Sequence, residues 1–243
     1  MTPFSGSILL LAPHPDDAAL SCGALLERGE PIDVLTVFTG APHPSRRGWW
    51  DELCGFADSE EGRRVRCAEE LEGLSPGGHR VRFLDVLDSQ YLDGPRPDAD
   101  ARAIGSALAD FEGALVAAPV GAGRRPRWFD RALQRVAPRG NTGPPHPDHV
   151  FVRDAVLDAV EGPVLLYEEF PYLQGGAGDQ AATKLAEARG VRAELLIAEV
   201  DRSAKARRIA AYASQLEHHT GRPEERFDLP ELLRPVERYW LLA

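Results

Sequence analysis

The feature that most constrains this chain is a short apolar run that ends abruptly in histidine and aspartate. Residues 9–17 read LLLAPHPDD, so the run leads directly into His14, Asp16 and Asp17. An apolar run of this length beside a proline turn is typical of a buried strand in a parallel sheet. Because open parallel sheets bind ligands at the carboxyl ends of their strands, we expect these polar side chains to line a site.

A second polar cluster lies in the other half of the chain. Residues 146–149 read HPDH, which places His146, Asp148 and His149 at the start of a predicted helix. A single His-x-x-Asp or His-x-x-His motif is usually structural. The prolines before Asp16 and Asp148 also suit helix N-termini that these aspartates would cap. Capping explains the aspartates but not the histidines, so the two clusters together favour a metal site.

The rest of the sequence alternates between strand and helix patterns. Aliphatic and β-branched runs predict strands over residues 7–12, 32–38, 81–86, 114–120, 164–167 and 193–200. Helical spacing predicts helices over residues 18–28, 60–74, 98–111, 149–160 and 203–218. This alternation predicts a single α/β domain over residues 1–243, with a Rossmann-like, mostly parallel sheet and helices on both faces.

Composition and charge limit the classes of partner. The 243 residues are 43% hydrophobic, enough for a sizeable core, and their net charge of -10 argues against nucleic acid or an anionic membrane as partner. The amino-terminal apolar run has no basic leader and is too short to span a bilayer, so we expect a cytoplasmic chain. Three unpatterned cysteines also fit a reducing compartment. Homo-oligomerisation stays open.

The two clusters supply the ligand set of a catalytic metal, with acid–base groups left over. His14, Asp17 and His149 give two nitrogens and one oxygen and leave a fourth position open, which is usual for catalytic Zn2+. Fe2+ is the alternative because it accepts similar ligands. Asp16, beside the metal but not on it, is the expected base that takes a proton from the attacking water.

The second cluster leaves two residues for roles other than metal binding. We expect His146 to stabilise an oxyanion or to protonate a leaving amine. We expect Asp148 to hold an imidazole in the required tautomer, as carboxylates beside metal-binding histidines commonly do.

The paired motifs resemble the PIG-L/LmbE-like family of metal-dependent N-deacetylases, which act on N-acetylglucosamine-type sugars. The resemblance rests on residues 12–17, APHPDD, and residues 146–149, HPDH, and it covers most of the chain. It implies the same zinc ligands, Asp16 as base, His146 as electrophilic or acid partner, and a small acylated amino sugar as substrate. Members act in glycolipid-anchor and thiol synthesis and in antibiotic tailoring, so thiol or natural-product biosynthesis is the implied setting.

The resemblance also implies two substrate-binding residues. Residues 66–69, RCAE, stand where the family has an Arg-x-x-Glu helix motif, which makes Arg66 a pocket residue; pairing with Glu70, four positions on, is the alternative. Residues 83–91 resemble the family strand that ends in a substrate-facing aspartate, here Asp88. A turn-forming role for that aspartate is the alternative.

The chain departs from the family pattern at two positions. Many members have Glu after the two aspartates, where this chain has Ala18, so one outer contact of the site is expected to be missing. Some members have a tyrosine shortly before the second motif, where residues 143–145 read GPP. If nothing replaces that tyrosine, the metal and His146 carry more of the transition-state charge.

Several features of the sequence bear on substrate specificity, and each has two interpretations. Residues 121–145 are expected to form a loop beside the active site, and their six arginines either bind a substrate anion or form a solvated surface. Trp49 and Trp50 either form a pocket lip or anchor their segment to the core. His218 and His219 diverge by about 100° on a predicted helix, so we expect no shared ion and no role for them.

Two rival functions stay open at this stage. One is an amidase that acts on a longer acyl chain or a thiol conjugate, which a wide apolar channel would favour. The other is a non-catalytic sugar- or nucleotide-binding module, because a fold does not fix a function. The complete set of histidines and aspartates argues against a pure binder, which needs neither an open metal site nor a spare base.

Overall fold

Seven strands form one mostly parallel sheet in the described part of the chain. The computed structural model describes residues 4–123, 144–172, 177–220 and 228–243. In chain order the strands are β1 (Ile8–Ala12), β2 (Asp33–Thr36), β3 (Arg80–Phe83), β4 (Leu115–Pro119), β5 (Val164–Tyr167), β6 (Ala193–Glu199) and β7 (Val236–Leu242). They lie in the order β3-β2-β1-β4-β5-β7-β6. The first five are parallel, and β7 is antiparallel to both of its neighbours.

Nine α-helices accompany these strands within the described ranges. They are α1 (Asp17–Ser21), α2 (Gly23–Leu26), α3 (Trp49–Cys54), α4 (Ser59–Leu74), α5 (Asp98–Leu108), α6 (Pro147–Ala159), α7 (Ala177–Arg189), α8 (Arg202–Ile209) and α9 (Leu216–Thr220). Among these helices, none combines the length and the hydropathy that a membrane crossing requires.

Helices cover both faces of the sheet, as the strand–helix alternation predicts. Because successive side chains of a strand point to opposite faces, β1 divides its residues between two apolar clusters. Leu9 and Leu11 pack in one cluster with residues of α5, α6 and α7. Ile8 and Leu10 pack in the other with residues of α1, α2 and α4. The α/β prediction with helices on both faces is therefore confirmed.

Several element predictions were wrong in detail. The helix predicted over residues 18–28 is two short helices, because Cys22 leaves the helical region with φ -126° and ψ 36°. The helix predicted over 203–218 is interrupted between α8 and α9. α3, α7 and β7 were not predicted from the sequence. β7 reads VERYWLL, and its two adjacent charged residues interrupt the apolar run by which a strand is recognised.

The strand order creates a crevice where the connections change direction. From β1 the chain builds outward to β2 and β3 on one side, and from β4 to β5 on the other. Neighbouring carboxyl ends of β1 and β4 thus lie where the order reverses, which is where doubly wound sheets bind their ligands. The segments that follow these strands are therefore the ones to search for functional side chains.

One glycine in α7 tests how tightly this helix packs on the sheet. A Cβ added to Gly178 would lie 2.3 Å from Cη2 of the buried Trp240. We expect Gly178→Ala to destabilise the protein by about 1–3 kcal/mol, because overpacking outweighs the gain in helix propensity of about 1 kcal/mol. Urea unfolding measures the difference.

Gly105 in α5 provides the matched control. Its added Cβ would meet only the Ala159 methyl, at 3.8 Å. Gly105→Ala should therefore stabilise the protein by up to about 1 kcal/mol. Equal stability of the two variants would contradict the packing of α7 described above.

Candidate active site

The first polar cluster occupies the turn between β1 and α1. β1 is fully buried, and the chain turns at Pro13 before α1 begins at Asp17. The backbone carbonyl of His14 accepts a hydrogen bond from the Asp17 amide at 3.2 Å. His14, Asp16 and Asp17 are all buried, so this turn points its polar groups into the molecule.

The three predicted metal ligands converge on one point. His14 Nδ1 lies 3.2 Å from Asp17 Oδ2, and His149 Nε2 lies 3.3 Å from the same oxygen. All three ligand atoms lie within 4.8 Å of one another. Atoms bound tetrahedrally to zinc at about 2.0–2.1 Å are roughly 3.3 Å apart, so this spacing suits a single ion.

A carboxylate faces the outer nitrogen of each imidazole. Asp148 Oδ2 lies 3.1 Å from His14 Nε2, and Glu169 Oε1 lies 3.5 Å from His149 Nδ1. Both nitrogens of His149 are buried, and within the described residues neither makes a hydrogen bond of good geometry. Buried polar atoms normally have a partner. With Nδ1 directed at Glu169, a metal ion would supply the partner that Nε2 of His149 lacks among the described residues.

A second possible ligand set shares His14, but the carboxylate in it already accepts hydrogen bonds from other residues. His14, His146 and Asp148 also bring ligand atoms within 4.8 Å of one another. However, the Asp148 carboxylate accepts from Arg96 Nη2 at 2.5 Å and from Ser89 Oγ at 2.8 Å. Because its oxygens are engaged, the set of His14, Asp17 and His149 is the better metal site.

The electrostatics of the cluster favour a cation. Burial alone would lower the pKa of His14, but hydrogen bonds with Asp148 and Asp17 outweigh it and raise the pKa to about 10. For His149, the charges of Asp17 and Glu169 likewise overcome burial and raise the pKa to about 9. The carboxylates that stabilise these protons would equally stabilise a divalent cation between the two rings.

Asp16 lies beside the ligands in a strained backbone conformation. Its φ of 118° makes it the one described residue other than glycine with positive φ. Its amide donates to Glu70 Oε2 at 3.0 Å, while its Oδ2 lies 3.1 Å from His219 Nε2. Such a conformation costs about 1–3 kcal/mol and is concentrated at functional sites.

Helix capping does not explain these aspartates. Asp16 precedes α1 but makes no side-chain capping hydrogen bond. Asp148 lies inside α6, and the capping side chain there is His146, whose Nδ1 accepts from the Asp148 amide at 3.3 Å. The alternative that both aspartates are simple caps is therefore wrong.

Glu70 anchors the Asp16 backbone from α4. Thr36 Oγ1 and Tyr212 Oη donate to its carboxylate at 2.9 Å and 2.7 Å. Burial raises the pKa of Glu70 to about 7, and these hydrogen bonds oppose the rise. Arg66 does not pair with it among the described contacts; the guanidinium lies 3.9 Å from Asp88 and donates to the Pro15 carbonyl at 3.4 Å.

Asp88 makes the contact expected of a turn former, and it also lies beside the cluster. Its Oδ1 accepts from the Gln90 amide at 3.0 Å and so caps a short 3-10 helix. Its Oδ2 faces His14 Nε2 at 3.7 Å and Arg66 Nη1 at 3.9 Å, inside the site. The residue is thus a turn former whose second oxygen remains directed at the cluster.

A cleft of about 570 Å³, including space open to solvent, lies over the cluster. Its polar lining comes from His14, Asp16, Asp17, Arg66, Asp88, Ser89, His146 and His219. Leu20, Trp49, Trp50, Pro171 and Tyr172 supply most of its apolar lining. Trp49 is 40% exposed and meets Trp50 edge-on at 5.5 Å, so the pair forms one wall of the cleft and Trp50 also packs inward.

Three residues of this site were not predicted from the sequence. Glu169 and Tyr172 lie in the segment that follows β5, and Tyr172 places its ring 6.1 Å from His146. His219, for which no role was expected, lines the cleft beside Asp16. Its partner is a carboxylate from the other end of the chain, so helical spacing held no signal for it. The predicted loop over 121–145 lies largely outside the described residues.

Comparison with known proteins agrees with this geometry. Residues 9–160 match the family described as PIG-L: GlcNAc-PI de-N-acetylase. A 2'-N-acetylparomamine deacetylase of Streptomyces fradiae is 35% identical over 199 residues, covering 76% of this chain. The aligned region spans 64% of that relative, so the chain matches less than two thirds of its length.

Solved structures share the fold over nearly the whole chain. The A40926 pseudoaglycone deacetylase Dbv21 superposes with a TM-score of 0.67 and 26% identity, covering 98% of this chain and 97% of the other. The zinc-inhibited form of the teicoplanin deacetylase Orf2 has a TM-score of 0.67 and 23% identity, covering 98% of both chains. With its family match extending from β1 into α6, this chain belongs to the PIG-L family.

Proposed function

We propose that this chain is a metal-dependent amide hydrolase that removes the N-acetyl group of an amino sugar. Zn2+ is the proposed metal and Fe2+ the alternative. The observation that carries the proposal is the convergence of His14, Asp17 and His149 beside a carboxylate, Asp16, that is free of the ligand set. Membership of the PIG-L family and similarity to the S. fradiae deacetylase support the same reaction.

A bound zinc ion would lower the pKa of a water molecule to about 7 and polarise the acetyl carbonyl. Asp16 takes the proton of the attacking water, and its contact with His219 holds its carboxylate toward the cleft. His146, whose ring lies 5.0 Å from that of His14, stabilises the oxyanion or protonates the departing amine. The products are acetate and the free amino sugar.

Asp148 and Glu169 act through the two imidazoles. Each carboxylate accepts a hydrogen bond from the outer ring N–H, so that the inner nitrogen, His14 Nδ1 or His149 Nε2, is the one available to the metal. Arg66 and Asp88 bind sugar hydroxyls at the polar end of the cleft, and Trp49 offers an apolar face to the sugar ring. Tyr172 is the proposed substitute for the tyrosine that some family members carry before the second motif.

The proposed substrate is a small N-acetylated amino sugar or glycoside of natural-product biosynthesis. Two relatives named above are deacetylases of 2'-N-acetylparomamine and of the A40926 pseudoaglycone. Acetate release from the purified, zinc-loaded protein should be measured across N-acetylglucosamine, its glycosides, N-acetylated aminocyclitol glycosides and nucleotide-diphosphate conjugates. We expect release that a chelator abolishes and added Zn2+ restores. Release from none of these, with release from longer N-acyl analogues, would favour the rival amidase.

Asp16→Asn separates the base from the neighbouring ligand. The variant should retain a full equivalent of zinc and lose about 100- to 10,000-fold in kcat, because an amide cannot accept the water proton. Metal analysis and acetate release measure the two quantities. Asp17→Asn is the matched control and should lose the metal. If Asp16→Asn loses zinc while Asp17→Asn keeps it, the two assignments are reversed.

His219→Ala tests the contact that orients the base. Losing the imidazole 3.1 Å from Asp16 should lower kcat while leaving the zinc content unchanged. The neighbouring His218→Ala is the control, since His218 contacts Glu217, at 3.4 Å, rather than the aspartates of the site. An unchanged kcat for His219→Ala, or equal losses in both variants, would remove His219 from the mechanism.

A further inference from the structure

A partly buried arginine, Arg96, contacts Asp148 beside the candidate metal site and has no part in the mechanism described above. Arg96 follows the 3-10 helix that Asp88 caps, and its side chain is 10% exposed. Its guanidinium lies over two neighbouring aromatic rings, 4.3 Å from the centroid of Phe38 and 5.0 Å from that of Phe151. A flat cation held on two ring faces has little freedom to move.

Hydrogen bonds hold the nitrogens at the edges of the guanidinium. Nη1 donates to the Leu87 carbonyl at 2.7 Å and to Asp100 Oδ2 at 3.0 Å. Nη2 donates to Asp148 Oδ1 at 2.5 Å. Arg96 therefore connects α5, the segment that carries Asp88, and α6.

The chain of contacts continues from Asp148 to a metal ligand. Asp148 is 1% exposed, and its Oδ2 accepts from Ser89 Oγ at 2.8 Å and faces His14 Nε2 at 3.1 Å. Phe38 contacts both ends of this chain of contacts. Its ring centroid lies 5.4 Å from that of His14, and the Arg96 guanidinium lies over the same ring. A carboxylate this deeply buried requires a cationic partner to stay ionised.

We propose that Arg96 is a positioning residue for the metal site, acting through Asp148 on the tautomer and orientation of His14. The proposal extends the function proposed above and rests on its metal site. Arg96 holds the Asp148 carboxylate in place. That carboxylate accepts a hydrogen bond from the outer nitrogen of His14, so Nδ1, beside Asp17, is the nitrogen left for a metal ion. Arginine suits this task because lysine cannot donate from two edges while stacked on two rings.

The dissociation constant for Zn2+, measured by competition with a chromophoric chelator on the full chain, tests the proposal. Arg96→Met should raise it severalfold or more, up to the roughly 10- to 100-fold that loss of the direct outer partner of a metal-binding histidine usually causes. Arg96→Lys should recover part of the loss, because it restores the charge. The absorption bands of the Co2+-substituted protein should also shift in Arg96→Met, since the orientation of His14 changes.

Arg82→Met provides the matched control. Arg82 also stacks on a phenylalanine, 4.7 Å from the centroid of Phe111, and pairs with Asp110 at 3.0 Å, but it lies on the exposed side of β3. This variant loses similar contacts away from the site. It should leave the Zn2+ dissociation constant and the Co2+ spectrum as they are in the parent protein.

A double-mutant cycle distinguishes positioning from general destabilisation. If Arg96 acts through Asp148, then Arg96→Met combined with Asp148→Asn should weaken Zn2+ binding no more than the worse single variant. Additive losses, or a dissociation constant for Arg96→Met within about twofold of the parent, would overturn the proposal. Should Arg96→Met not fold, Arg96→Lys alone decides on the same criterion. These measurements need no substrate, so a failure to release acetate would overturn the proposed reaction and leave this result standing.

Discussion

Buried negative charge at the carboxyl ends of the parallel strands is the constraint on which the rest of this structure depends. Asp17, Asp148 and Glu169 are 3%, 1% and 1% exposed. An ion removed from water in this way costs several kcal/mol unless a partner compensates it. His14, His149 and Arg96 are those partners, and each comes from a different segment of the chain. The fold must therefore bring these segments together before the site can exist.

The backbone of Asp16 illustrates how the scaffold maintains an unfavourable local geometry. Its positive φ would relax in an isolated turn, but its amide is held by Glu70, and Glu70 is held in turn by Thr36 and Tyr212. These partners belong to α4, to β2 and to the segment after α8. The strain is thus supported by three packed elements, and it directs the Asp16 carboxylate away from capping and into the cleft.

The sequence allowed the clustering of the candidate ligands and the sheet to be predicted because both are encoded locally. An apolar strand followed by HPDD places His14 and Asp17 on one turn, and HPDH at a helix start does the same for His149. β7 and His219 were missed for the opposite reason. β7 takes its place through antiparallel pairing with β5 and β6, and His219 meets Asp16 from about two hundred residues away. Local pattern contains no information on such contacts.

The same long-range contacts couple metal binding to folding. His14 and Asp17 lie just after β1, whereas Asp148 and His149 lie in the first turn of α6. The candidate ligands are therefore far apart in an unfolded chain. A metal that binds the folded protein alone must stabilise it by mass action. Its charge would also relieve the repulsion among the carboxylates gathered there. The site that the fold assembles at an electrostatic cost thus becomes a source of stability once a cation lies between the two imidazoles.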